Sequence, residues 1–287
     1  MTDGFGGPVR PISRIRWLDS GANSWYQGLQ VNYQKRLSKG FLANLAYTYS
    51  KSEGEGYGRN ESFGSTSNGS YQNPRLRSAD KAVYPFDVKH NAVISWLYEI
   101  PTAEALRHGI ANQVLGGWQA NGIWTIHTGL PFVVQQGNTL NTFNSPVRPD
   151  RFGSGALANP TLNEWFNPDD FHVVTCQVNS LAYLCHYGNS GNGILRGPHF
   201  RNLDFSLFKN FPIHESVRLQ FRAELFNIFN SPNFNPPNNS LTTSTAFLPS
   251  TPGGGFPTQA GRVQGPGAIT SLAAPMRQIQ FGLKFLF

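Results

Sequence analysis

Residues 277–287, "RQIQFGLKFLF", decide the fold. From Ile279 every second residue is apolar: Ile279, Phe281, Leu283, Phe285 and Phe287. Gln278, Gln280, Gly282 and Lys284 lie between them, and Leu286 breaks the alternation. Period 2 marks an extended strand with one apolar and one polar face. Such a strand packs its apolar face on a soluble core or turns it to lipid. One strand does not separate the two.

Six more segments share the pattern. In "SVRLQFRAELFN" (216–227), Val217, Leu219, Phe221, Ala223 and Leu225 oppose Arg218, Gln220, Arg222 and Glu224. In "RNLDFSLFKN", Leu203, Phe205 and Leu207 oppose Asn202, Asp204 and Ser206. "LQVNYQKR", "FLANLAYTYS", "DVKHNAVISWLYE" and "GWQANGIWTIHT" alternate less cleanly. The predicted strands lie near 25–37, 39–50, 86–99, 117–128, 200–210, 216–228 and 277–287.

The connections alternate in length. Short ones lie around Ser38 and at "FPIHE", and a moderate one runs from Pro101 to Gly116. Long ones run from Lys51 to Pro85, Gly129 to His199 and Phe229 to Met276. Long structureless loops argue against an ordinary sandwich. Short turns on one side and long loops on the other are the plan of an outer-membrane barrel. The predicted fold class is all-β: a partial antiparallel transmembrane β-barrel of about seven meandering strands. Its short turns are periplasmic and its long loops extracellular. Residues 1–24 form a partial extracellular loop and 25–287 the barrel segment. Trp25, Tyr26, Tyr47, Tyr49, Trp96, Tyr98 and Trp118 are expected near strand ends, at the headgroup layer. The alternative is a secreted or surface β-sandwich binding module, with carbohydrate as a candidate ligand.

Composition agrees with a β protein rich in loops. Charged residues make up 14% of 287, against roughly 25% in soluble domains. Gly and Pro number 30 and 20. No apolar run approaches the ~18 residues of a membrane helix. The net charge of +7 comes from scattered residues without a dense Lys/Arg run, so no nucleic-acid partner is expected. "MTDGFGGPVRPISRIRW" lacks the basic and apolar regions of a signal peptide, so an exported body implies a fragment.

Motifs for chemistry are lacking. There is no G-x-S-x-G, and "GEGYGRN" and "GNGILRG" complete neither a dinucleotide fingerprint nor a P-loop. His214-Glu215 has no second His four residues on. Asp169 and Asp170 in "NPDDF" fit a turn more readily than a Ca²⁺ site. A lipid hydrolase using a strand Ser and His is the enzyme alternative, but nothing selects one Ser. No catalytic residue, metal site or cofactor is expected, and the chain is read as no enzyme. Cys176 and Cys185, with eight residues between them in one exterior loop, are the disulfide candidate.

Six ordered phrases carry a resemblance: "NSWYQGLQVNYQKRLSKGFLANLAYTYSKS", "DVKHNAVISWLYEIP", "LGGWQANGIWTIHTGLPF", "GNSGNGILRGPHFRNLDFSLFKNF", "LQFRAELFNIFNSPNF" and "IQFGLKFLF". Together they resemble the last part of TonB-dependent outer-membrane receptors, nearest the Oar-like branch. The resemblance implies a nutrient receptor or transporter of the cell outer membrane. Such receptors close about 22 strands around a plugged lumen. The chain would be the C-terminal third or so of that barrel. Its partners would be outer-membrane lipid, the barrel-assembly machinery and, in the full-length parent, a plug domain and the TonB energy-coupling complex. Ile279, Phe281, Leu283, Phe285 and Phe287 would form the assembly signal. Arg218, Gln220, Arg222, Glu224, Asn202, Asp204 and Lys284 would face the lumen. The substrate is not legible, because its determinants lie in plug and loops.

Overall fold

The computed structural model describes residues 21–55, 72–73, 75–103, 109–137, 147–175, 186–213, 217–241 and 265–287. Seven long strands build the wall: β1 (Ser24–Ser38), β2 (Phe41–Gly54), β4 (His90–Glu99), β5 (Trp118–His127), β11 (Phe200–Pro212), β12 (Arg218–Phe226) and β14 (Gln278–Leu286). Two-residue β3 (Ala82–Val83) pairs with the outer end of β2. The long strands pair antiparallel in chain order, β1-β2-β4-β5-β11-β12-β14, which is a meander. Among the described residues the sheet is open, with β1 and β14 as its edges. No second sheet of comparable size lies among the described residues, as a sandwich would require.

Local chemistry sets the short turns. Lys39 and Gly40 both have positive φ, 52° and 75°, as a two-residue hairpin demands. A Cβ on Gly40 would lie 2.9 Å from the Glu99 carbonyl oxygen, so the neighbouring strand also requires the glycine. At the other end of the wall, Asn227 and Asn230 turn the chain out of β12 with φ of 51° and 52°. Asn227 closes its own loop, exchanging hydrogen bonds with Ser231 N and O at 2.9 Å each. Asn230 Oδ1 accepts from Arg277 N, and Asn233 Oδ1 accepts from Arg201 N. The asparagines of "FNIFNSPNF" thus tie β12 to both neighbouring strands.

Several boundaries differ from the sequence reading. β4 starts at His90 rather than 86, because the Asp87 side chain turns back to accept from Ser52 N at 2.6 Å. β2 runs on to Gly54, extended by its pairing with β3. The Pro101–Gly116 connection holds a short helix, α1 (Gly109–Leu115), which the alternation-based reading had no means to see. Residues 1–20 lie outside the described residues, and so do Cys176, Cys185, His214 and Glu215.

The larger correction concerns the long loops, expected to be structureless. Their described parts hold six further two-residue strands: β6 (Pro131–Phe132), β7 (Gln135–Gln136), β8 (Asp150–Arg151), β9 (Phe171–His172), β10 (Leu195–Arg196) and β13 (Ser240–Leu241). They pair as β10-β6, β13-β7 and β8-β9. Phe132, Val134, Phe166, Phe171, Leu195 and Leu241 form a buried cluster there, with Val147 and Val174 forming a second. Among the described residues the hydrophobic core clusters therefore sit in a folded cap at the long-loop end. The wall buries little, since its apolar face is turned to the exterior.

Candidate functional site

The registers sort the wall's side chains onto two faces, because directly opposed residues point the same way. One face is apolar. Tyr33, Val31 and Leu29 of β1 stand opposite Leu45, Tyr47 and Tyr49 of β2. Ala43, Leu45 and Tyr47 stand opposite Trp96, Ile94 and Ala92 of β4. Across the sheet, Leu219, Phe221 and Leu225 of β12 stand opposite Phe285, Leu283 and Ile279 of β14. Phe221 and Phe281 stack with ring centroids 6.2 Å apart. Phe281 and Leu283 are 69% and 70% exposed, a state a soluble protein would not leave along a whole strand. On β2 the apolar series runs from Phe41 to Tyr49, a length that fits the ~9–11 residues of a membrane-spanning strand.

Aromatic and basic groups fringe this face at both levels. At the short-turn end, Phe41 meets Tyr98 edge-on at 6.2 Å and Lys35 Nζ lies 4.8 Å from the Phe41 centroid. Lys209 joins them: it is 1% exposed, donates to the Gly116 carbonyl and lies over the rings of Phe211 and Trp118. Its place in the apolar series Leu203, Phe205, Leu207 is the one cue the sequence offers. At the long-loop end, Tyr47 Oη and His90 Nδ1 are 2.8 Å apart, and Lys81 Nζ lies 4.1 Å over Trp25. Tyr26 faces the opposite side from Trp25. Trp96 is not at a strand end: it stands opposite Ala43 and Gly122. Its indole lies over the glycine, where a Cβ would come within 2.5 Å of Nε1.

The other face is polar and cross-linked. Arg218, Gln220, Arg222 and Glu224 point the same way as Lys284 and Gln280 of β14 and as Asn210 and Ser206 of β11. Asn202 and Asp204 share it. Asp204 Oδ1 accepts from Asn202 Nδ2 at 2.8 Å and Asn227 N at 2.9 Å. Gln220 donates to Asn210 Oδ1 at 2.9 Å and accepts from Arg222 Nε at 2.7 Å. The Arg222 guanidinium also covers the Phe208 ring at 4.9 Å. The register thus brings all seven residues expected to face the lumen onto one face.

Ion pairs join two of the long loops to each other, and Asp87 also accepts from Ser52 N of β2. Asp80 and Arg148 are 3% and 5% exposed and directly paired. Arg148 Nε also donates to Ser190 O, and its backbone N to Gln72 Oε1. Asp80 accepts from Gln72 N and Asn192 Nδ2. Arg196 clasps the Asp87 carboxylate and donates to the carbonyls of Asp87 and Gly129. The β2–β4 loop supplies both carboxylates and the β5–β11 loop both guanidinium groups. Both Asp170 oxygens take donors, one from Asn167 in its own turn and one from the backbone N of Gly155, which fits a structural role. Among the described residues no group of three His, Cys, Asp or Glu is placed to hold a metal ion.

An apolar outer face fringed by aromatic and basic groups, a cross-linked polar face and a cap at the long-loop end define an outer-membrane β-barrel protein. The family model for the outer membrane beta barrel domain matches residues 4–280, and the chain belongs to that family. No curated protein and no solved structure matches it. The family indicates the outer membrane as its location.

Lipid then tests the two faces. Phe221→Arg, on the apolar face, should cost about 2–4 kcal/mol near mid-membrane, and Gln220→Arg far less. Membrane-insertion assays of both variants in the full-length polypeptide measure the difference. Equal tolerance would overturn the face assignment.

Proposed function

We propose that the chain is the C-terminal barrel portion of a TonB-dependent outer-membrane receptor of the Oar-like type, which binds or imports a nutrient. The observation that carries the reading is the pair of open edges. Seven alternating strands leave β1 and β14 running in the same direction. Antiparallel closure therefore needs an odd number of further strands, as in a larger even-stranded barrel. The six resemblance phrases favour the TonB-dependent type. In this role the polar face lines the lumen or meets a plug, and the terminal strand is read by the assembly machinery. The work of the barrel is passage and binding rather than catalysis.

The test needs no substrate. The full reading frame should encode a plug domain upstream of Met1, and its product should bind the periplasmic domain of TonB in a pull-down. A frame without a plug, whose product conducts ions steadily in a planar bilayer, would instead indicate an open porin-type barrel.

A further inference from the structure

Cations on the polar face are not spread over the wall. Within the paired registers of β1, β2, β4, β5 and β11, that face carries amides, hydroxyls, apolar side chains, the imidazole of His127 at the long-loop end and the acids Glu99 and Asp204. Arg36 stands at the bulge of β1, outside the paired register. The paired Arg and Lys side chains of that face are Arg218, Arg222 and Lys284, grouped on β12 and β14 toward the short-turn end. Lys284 stands opposite Gln220, so it sits between the two arginines on the neighbouring strand. None of the three has a carboxylate partner among the described residues.

Arg222 is also aimed. Its Nε is held by Gln220, itself 8% exposed and fixed by Asn210, and its plane lies on Phe208. Its two terminal nitrogens make no hydrogen bond among the described residues. Gly282 stands opposite, and a Cβ there would find nothing nearer than 4.0 Å, so the floor beside the guanidinium is open. A fixed guanidinium with a free donor edge matches the planar geometry of carboxylate and phosphate oxygens. Unpaired Arg and Lys lining a pore favour anions over cations.

We infer that Arg218, Arg222 and Lys284 form an anion-binding strip on the lumen face, taking solutes that carry carboxylate or phosphate groups. This rests on the barrel reading of the polar face. The strip makes the receptor selective for anionic solutes, with Arg222 giving the oriented contact and Arg218 and Lys284 giving charge.

Protection from amine labelling tests it. The full-length polypeptide is labelled in outer-membrane vesicles with a water-soluble acylating reagent, and Lys284 modification is read by mass spectrometry. Pyrophosphate or citrate should slow labelling of Lys284 about threefold once the anion reaches twice its dissociation constant. Lys51, on the other face and paired with Glu53, should be unaffected. The pyrophosphate and citrate arms separate phosphate from carboxylate preference. Arg222→Gln should abolish the protection while the barrel stays heat-modifiable. No protection by either anion, equal protection of Lys51, or a Lys284 unreactive without anion would overturn the strip. The barrel reading has its own control. Leu283→Cys should resist a membrane-impermeant maleimide, and its ready labelling would show that the face assignment failed instead.

Discussion

Asp80→Ala should loosen the cap by about 3–5 kcal/mol, the cost of leaving a buried guanidinium without its carboxylate. Asp80 and Arg148 are both almost fully buried, so water cannot replace the lost partner. Arg148→Ala should cost a comparable amount, moderated because Gln72 and Asn192 still donate to Asp80. The double variant should lose much less than the sum, since one interaction is counted in both singles. The readout is amide exchange in the full-length protein. Protection should fall around Val134, Phe171 and Leu195 of the cap cluster and stay unchanged in β5 and β11. Unchanged exchange in the cap would show that apolar packing alone holds it. Uniform loss across the wall would show that cap and wall unfold as one unit.

The second large effect concerns the open edges. The 287-residue chain purified alone in detergent should not run as a monodisperse, heat-modifiable monomer. Among the described residues, the outward N–H and C=O groups of β1 and β14 have no partner strand. Each such group left in hydrocarbon costs several kcal/mol. One 15-residue edge strand therefore exposes a deficit larger than the roughly 5–15 kcal/mol that stabilises a domain. On the proposed reading those edges are paired in a full-length parent, and the terminal strand is also an assembly signal there. Phe287 is 98% exposed, so deleting it removes almost no packing. Its deletion there should lower the yield of assembled barrel while leaving the heat stability of the assembled fraction intact. A stable, conducting monomer of the isolated chain would overturn the reading of the wall as one part of a larger barrel.

The wall was legible because its evidence is local. In β12 and β14 each residue reports its own side of a flat boundary, and period 2 survives in Leu219, Phe221, Leu225, Phe281, Leu283 and Phe285 whatever the partner strand. Less clear were residues whose role depends on a neighbour across the sheet. Lys209 breaks the apolar series and makes sense only once Gly116, Trp118 and Phe211 surround it. Phe208 breaks the polar series and makes sense only under Arg222. Trp96 needed Gly122 opposite it to be placed in mid-wall.

By itself the sequence determined the all-β class, the seven wall strands and which residues share a side of each, because alternation is written one residue at a time. Tertiary structure alone decided the cap. Its strands are two residues long, too short to show any period, and its contacts join residues remote in the chain. Asp80 meets Arg148 across 68 positions, Asp87 meets Arg196 across 109, and Gln72 meets Gly188 across 116. The cation strip is of the same kind. Arg218, Arg222 and Lys284 are scattered charges until the β12–β14 register sets them side by side, and register is a property of paired strands, not of either one.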